Sequence, residues 1–326
     1  MVLTDLVFVL SDVNIAGEHN VTPLHIAAKY NQLAAVRALI ACNADVQSGD
    51  INLNTPLHYA AKAGHQDICK ELLNNQPFMI DNKNKKEMTA LHLACIHNRN
   101  FVCSYLVEKG TDVTTKTEDG SIPIHIAASR GNTELMEIFL DAGMKNLIAR
   151  IDHLSRRNYD GASILHRAVQ CGQEQVVMFC LNEGVETNVC DKKGLTPLHI
   201  AAINGNDSIS RILLTKRSTI DARDNYDRTP LHHAASLNRL NIAEVLINAG
   251  AGINISDSKQ TTPLLYAIAN NHLQSAQLLI NHNCSIKAVD QFGRNCLHIA
   301  AIGSDDDLNL LEYLLSVGNR IILSAH

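Results

Sequence analysis

Histidine and cysteine are the residue types through which this chain could act as a metal site, base or nucleophile. The sequence has 16 His and 9 Cys, and His92, Cys95 and His97 stand close together. Zinc binds such side chains, but two helical ligands share a face at a spacing of four, whereas His92 and His97 are five apart. Phosphate-loop, GxSxG and HExxH motifs are all missing. We therefore expect no metal, no cofactor, no catalytic residue and no enzymatic activity.

Composition narrows the class of protein and its compartment. The 326 residues are 46% hydrophobic but only 4% aromatic, without Trp, so the predicted core is aliphatic and rich in alanine. A net charge of −5 excludes a general attraction to nucleic acid. The nine cysteines form no CxxC pair, which favours a reducing compartment. The apolar run 6–10 is too short for a transmembrane segment or signal peptide, so we expect a soluble, cytoplasmic chain.

Half of the histidines occupy one position in a recurring phrase. Copies of that phrase begin at intervals of 33, 34, 33, 41, 33, 33, 33 and 33 residues and together extend over about 20–318. Such a period indicates a repeat architecture. The starting residues are Thr22, Thr55, Thr89, Ile122, Ser163, Thr196, Thr229, Thr262 and Asn295. The histidine three residues later is expected to bond the helix cap or the neighbouring turn.

Each copy predicts helix, turn, helix and an extended hairpin. Threonine at the start is a good helix N-cap, and the proline that often follows fits the first helical position. Nine residues after the start, eight of the nine copies have Asn or Gly, which tolerate the left-handed conformation that ends a helix, and the last copy has Ser304 there. A second helix carries a buried aliphatic pair, as at Leu72 and Leu73. The fold prediction is an all-α solenoid with about nine full helix-turn-helix repeats and short β-hairpin fingers.

The phrase TPLH at 22, 55, 196 and 229, with the variants TALH, IPIH, SILH, TPLL and NCLH, resembles the ankyrin repeat family. The resemblance implies stacked L-shaped repeats whose inner helices and fingers line a concave, non-catalytic surface that binds protein partners. We expect one solenoid over 1–326. Within it, 1–19 would be the tail of a preceding repeat and 319–326 the start of a further one.

Partner-binding candidates are residues that the repeat itself does not use. Exposed aromatic and arginine side chains often dominate binding energy. Those predicted at the fingertips are Tyr159, Lys192, Lys193, Tyr226, Arg228, Phe292 and Arg294. Those predicted on the open side of the first helices are Tyr59, Arg167, His233 and Tyr266.

The longest interval contains an insertion, MKNLIARIDHLSRRN at 144–158. Its apolar residues recur at helical spacing, which predicts a short amphipathic helix with a positive face. Two interpretations stay open: a solvated surface insertion, or a site for an anionic ligand. The cations of such a site would be Lys145, Arg150, Arg156 and Arg157.

Three functions fit these observations. The first is a protein-interaction scaffold. The second is the cytosolic N-terminal array of a cation channel, because 289–301 (VDQFGRNCLHIAA) and 159–169 (YDGASILHRAV) are similar to stretches in ankyrin-type transient receptor potential channels. The third is a host-directed effector or adaptor. A further array and six hydrophobic spans after His326 would decide for the channel.

Overall fold

The computed structural model describes residues 12–142, 147–303 and 308–324. Short 3-10 helices occupy Glu18–Asn20 and Pro77–Asp81. The α-helices of the described residues are α1 (Pro23–Lys29), α2 (Leu33–Ala41), α3 (Pro56–Ala63), α4 (Gln66–Asn75), α5 (Ala90–Ile96), α6 (Asn100–Glu108), α7 (Pro123–Arg130), α8 (Thr133–Asp141), α9 (Leu147–Leu154), α10 (Ile164–Gln170), α11 (Glu174–Asn182), α12 (Pro197–Asn204), α13 (Asp207–Thr215), α14 (Pro230–Ser236), α15 (Leu240–Asn248), α16 (Pro263–Ala269), α17 (Leu273–Asn281), α18 (Cys296–Gly303) and α19 (Asn309–Ser324).

The fold is an all-α repeat solenoid, as predicted, in which the helices follow one another as pairs. The pairs begin with α1–α2 and end with α18–α19, and α9 stands between two pairs as an extra helix. The connections are turns, and the described residues contain no β-strand, only an isolated bridge between Arg157 and Ser163. Strand pairing in the predicted fingers is therefore not confirmed. Fingers closed by turns of a few residues are too short to build a ladder.

The threonine and the histidine of the phrase begin most of the first helices together. Thr22 and Thr196 are extended N-caps, and their backbone amides donate to Nδ1 of His25 and His199, both at 3.1 Å. This reciprocal cap satisfies donors that the first turn leaves without a partner. Where Ile122 replaces threonine, the amide still donates to its histidine, at 3.3 Å.

The first helices end as the sequence predicts. A positive φ occurs at the eight Asn and Gly residues placed nine after a start, namely Asn31, Gly64, Asn98, Gly131, Gly172, Gly205, Asn238 and Asn271. At Gly64, where φ is 91°, an added Cβ would lie 2.8 Å from Cδ of Arg99. A side chain at this position would therefore be strained by the positive φ and would displace Arg99.

The chain divides into two compact units, Met1–Arg167 and Ala168–His326. In the first unit α1, α3, α5 and α7 contact one another in succession, and in the second α12, α14, α16 and α18 do so. Small buried residues such as Ala60, Ala61, Ala201 and Ala202 allow this close packing. No helix in the described residues is long and apolar enough to cross a membrane.

Two features concern the predicted boundaries. The insertion contains α9, and the side chain of Leu154 at its end is fully buried. At the other end, α19 continues to Ser324, past residue 319 where a further repeat was expected to begin. Leu310 and Leu314 are buried one turn apart along this helix, as an apolar helical face requires. Residues 1–11, most of the expected tail of a preceding repeat, lie outside the described part of the chain.

Candidate partner-binding surface

The connections between helix pairs contain a five-residue loop, here called a finger, that ends directly before each starting residue. Fingers in the described residues open mostly with Asp or Asn, whose Oδ1 accepts the amides two and four residues later at 2.7–3.1 Å. Such side-chain to backbone bonds define a tight turn locally. The opening residues are Asp50, Asn84, Asn158, Asp191, Asp224, Asp257 and Asp290.

Successive fingers are joined by backbone hydrogen bonds. In the second unit Asn225 N donates to Lys193 O at 3.1 Å, Ser258 N to Tyr226 O at 3.1 Å, and the amide of Gln291 to Lys259 O at 2.9 Å. The first unit repeats the pattern, for example from the Lys85 amide to the Asn52 carbonyl at 2.9 Å. Each unit therefore holds a finger row, a line of loops in fixed order.

The repeated histidines tie each first helix to the next finger. Nε2 of His25 lies 2.8 Å from Asn54 O, that of His58 lies 3.0 Å from Met88 O, and that of His232 lies 3.1 Å from Thr261 O. Because Nδ1 accepts the cap amide, Nε2 carries the proton and donates to these carbonyls. Burial lowers the pKa of these imidazoles, to about 4 for His232. The predicted bond from histidine to cap and neighbouring turn is confirmed.

Two of the predicted fingertip pairs are built on buried carboxylates. Arg228 pairs with Asp224 at 2.9 Å and lies 5.0 Å from the ring of Tyr226. Arg294 pairs with Asp290 at 2.7 Å and lies 4.9 Å from the ring of Phe292. The rings remain 59% and 70% exposed. Each arginine is thus held in place while its aromatic neighbour faces solvent.

The carboxylate of Asp224, which pairs with Arg228, has a low pKa. Burial alone would raise the pKa of Asp224, but bonds from the Arg228 and Tyr226 amides and from the side chains of Arg228 and His233 lower it to about 2. The remaining fingertip candidates, Lys192, Lys193 and Tyr159, are exposed, the last of them in the first unit.

Three helix-face candidates have a structural partner that the sequence reading missed. Tyr59 Oη donates to Asp50 Oδ2 at 2.9 Å, and Tyr266 Oη donates to Asp257 Oδ2 at 2.8 Å. His233, which is buried, bonds Asp224 Oδ2 through Nε2 at 3.0 Å. The pKa of both tyrosines is raised to about 12, mainly by burial and secondly by the hydrogen bond to the carboxylate.

These three side chains therefore connect a first helix to the finger that precedes it. Each stands nine residues after the opening aspartate of that finger, so the Asp–Tyr or Asp–His spacing was a readable indication. Arg167 holds the same place in its own repeat and is partly buried.

The cations of the insertion do not form a described cluster. Arg150 Nη1 pairs with Asp141 Oδ1 at 2.9 Å. The carbonyl of Arg156 accepts from His125, and the backbone of Arg157 bridges to Ser163. Lys145 lies outside the described residues. The geometry gives the predicted anion site no support.

Metal binding and thiol chemistry have little structural basis in the described part of the chain. No group of three or more His, Cys, Asp or Glu side chains there is placed to hold a metal ion. The sulfurs of Cys95 and Cys103 are 3.9 Å apart in the core, where burial raises the pKa of Cys95 well above its usual range. The nine cysteines are all free, and Cys171 and Cys190 are exposed.

The family model described as "Ankyrin repeats (3 copies)" matches residues 24–117, 109–186, 165–257 and 249–324 of this chain. The chain belongs to the ankyrin repeat family. The matches extend over both units.

Relatives of this ankyrin repeat chain include members of one channel family and a viral protein. The human transient receptor potential cation channel subfamily A member 1 is 31% identical over 171 residues, 52% of this chain and 15% of the channel. Its Drosophila melanogaster counterpart is 28% identical over 196 residues, 56% of this chain and 16% of the channel. A putative ankyrin repeat protein of Fowlpox virus is 30% identical over 130 residues, 40% of this chain and 90% of that protein. The chain thus spans about one sixth of the channels that it matches.

Proposed function

We propose that this chain is a non-catalytic protein-interaction module whose partners bind the fingers and the adjoining first helices. The observation that carries this proposal is the pair of exposed rings, Tyr226 and Phe292, each with an arginine stacked on it. Aromatic and arginine side chains on a rigid base lose little entropy on binding and are typical anchors of interfaces. The nine free cysteines support a cytoplasmic location.

The test uses the whole chain as bait and changes only the rings. The double variant Tyr226→Ala and Phe292→Ala keeps the Arg–Asp pairs that hold the fingers. Its control is Phe101→Ala on the second helix α6, because Phe101 is also an exposed aromatic residue, at 81%, but does not belong to a finger. A partner captured by the parent and the control but not by the double variant supports the proposal. A partner captured equally by all three contradicts it.

A second candidate function rests on the channel relatives. We infer that the chain is the cytosolic regulatory array of a cation channel, because members from human, Caenorhabditis elegans and Drosophila melanogaster each match 52–58% of it. Sequencing the full transcript tests this inference. Six long apolar segments after residue 326 are expected, and a stop codon directly after it would contradict the channel function.

A further inference from the structure

The exposed charge on the finger row of the second unit is positive, although the whole chain carries −5. This row, the basic finger row, comprises fingers 191–195, 224–228, 257–261 and 290–294. Three of its four opening residues, Asp224, Asp257 and Asp290, are buried, Asp191 is half-buried, and all four bond amides of their own fingers. The later finger positions contain five cations, which are Lys192, Lys193, Arg228, Lys259 and Arg294, and one carboxylate, that of Asp227. Because Arg228 and Arg294 pair with the opening Asp224 and Asp290 of their own fingers, the three lysines carry the exposed positive charge of the row.

That single exposed carboxylate is partly offset by a neighbour. Asp227 Oδ1 lies 3.8 Å from Nη1 of Arg223, just before the same finger. The lysines, by contrast, are exposed, and within the described residues no carboxylate lies at ion-pair distance from Lys192, Lys193 or Lys259. Their charge is available to a partner.

The first unit has the same finger geometry but the opposite balance of charge. Its finger 84–88 carries Lys85 and Lys86, whereas the later positions of its fingers also carry the acids Glu87, Glu118, Asp119 and Asp160. The positive row is therefore a property of the side chains in the second unit and not of the repeat.

The third residue of each finger shows a further pattern. In chain order these residues are Lys193, Tyr226, Lys259 and Phe292, so that cation and ring alternate. The carbonyls of the first three accept the backbone bond from the next finger, which fixes their order in the row. An alternating line of charge and apolar surface is thereby presented on a bonded backbone.

We infer that the basic finger row binds an extended acidic segment of a partner protein, in which carboxylates and apolar side chains alternate along one face, at every second residue. The inference rests on the proposed function and specifies the chemistry of the partner. Carboxylates would meet Lys193 and Lys259, and apolar side chains would meet the two rings between them. A single line of four positions fits an extended chain. A flat anionic membrane would also meet the net negative charge of the rest of the molecule.

The test measures binding of a short fluorescein-labelled peptide in which glutamate and leucine alternate at every second position, with serine between them, by fluorescence anisotropy at low and high salt. The variant Lys193→Glu and Lys259→Glu is compared with Lys85→Glu and Lys86→Glu, which changes the net charge equally on fingers of the first unit. We expect the first pair to weaken binding about tenfold and the second to leave it nearly unchanged, because charge reversal turns local attraction into repulsion. Thermal melts by circular dichroism should show all variants folded.

Other outcomes overturn the inference. Equal losses in both pairs would mean that only net charge matters. Failure of the parent chain to bind the peptide, or its binding only to phosphatidylserine vesicles or a single-stranded oligonucleotide, would mean that the partner class is wrong. If the peptide fails but the Tyr226 and Phe292 variant still loses its captured partner, the acidic segment is wrong while the proposed function stands. If that variant also captures its partner normally, both are wrong.

Discussion

Acidification should destabilise this protein through the histidines that join its repeats. His92, His125 and His232 are buried, each accepts a backbone amide at Nδ1, and each bonds a carbonyl through Nε2. Only the neutral ring with its proton on Nε2 can make both bonds. A second proton on Nδ1 would face an amide N–H and would also place a charge in the core.

The magnitude follows from the pKa shift. Burial lowers the pKa of each of these imidazoles from 6.5 to about 4. As the pH falls below 6.5 the unfolded chain binds protons that the folded chain does not bind until about pH 4. The free energy of unfolding is therefore unaffected by these groups above pH 6.5 and decreases between pH 6.5 and 4. One such histidine contributes a loss of roughly 1.4 kcal/mol per pH unit, or about 2 kcal/mol at pH 5.

The assay is urea unfolding of the full chain at pH 7.5 and pH 5, followed by circular dichroism. The variant His92→Gln should reduce the difference in unfolding free energy between the two pH values by about 2 kcal/mol, because glutamine at this helix position keeps the reciprocal cap but does not titrate. His298 holds the same place in its repeat but is exposed, so His298→Gln removes no buried imidazole and serves as the control. An undiminished pH dependence in His92→Gln would refute the reasoning.

Three further predictions concern the core, one turn and the thiols. Leu72→Ala, at a fully buried position, should lower the free energy of unfolding by about 2–5 kcal/mol in urea titrations, because it leaves a cavity between stacked helices. Gly64→Ala should lower the melting temperature more than Gly110→Ala, since both have positive φ but only Gly64 also lacks space for a Cβ. Native Cys171 should react with maleimide quickly, whereas buried Cys95 should react only in denaturant, as mass spectrometry can show.

The helix boundaries could be predicted because their determinants are local. Threonine with histidine three residues later begins a first helix, and Asn or Gly with positive φ ends it, so each boundary depends on a few consecutive residues. The helix in the insertion was likewise readable from apolar spacing. Predicting these features requires no knowledge of which repeats are in contact.

The roles of the helix-face residues could not be read in the same way. Tyr59 and Tyr266 were assigned to partners because the repeat places them on the open side of the first helices, but the finger folds back and brings an aspartate to each hydroxyl. The pairing becomes visible only when position is compared across repeats. Arg228 and Arg294 are similar cases, since their carboxylate partners stand at the opening of the same finger.

The structural demands on a finger also explain where partner specificity can reside. The opening side chain is fixed because it bonds two amides, and the second and third residues contribute their backbone amide and carbonyl to the row. The side chains of Lys193 and Lys259 are consequently free of any described structural role, whereas their backbone is not. Lysine, an aromatic residue or aspartate can occupy such positions in the same backbone, so the partner can change without a change of fold. The alternation of Lys193, Tyr226, Lys259 and Phe292 is therefore not a requirement of folding, and under our proposal it serves partner binding.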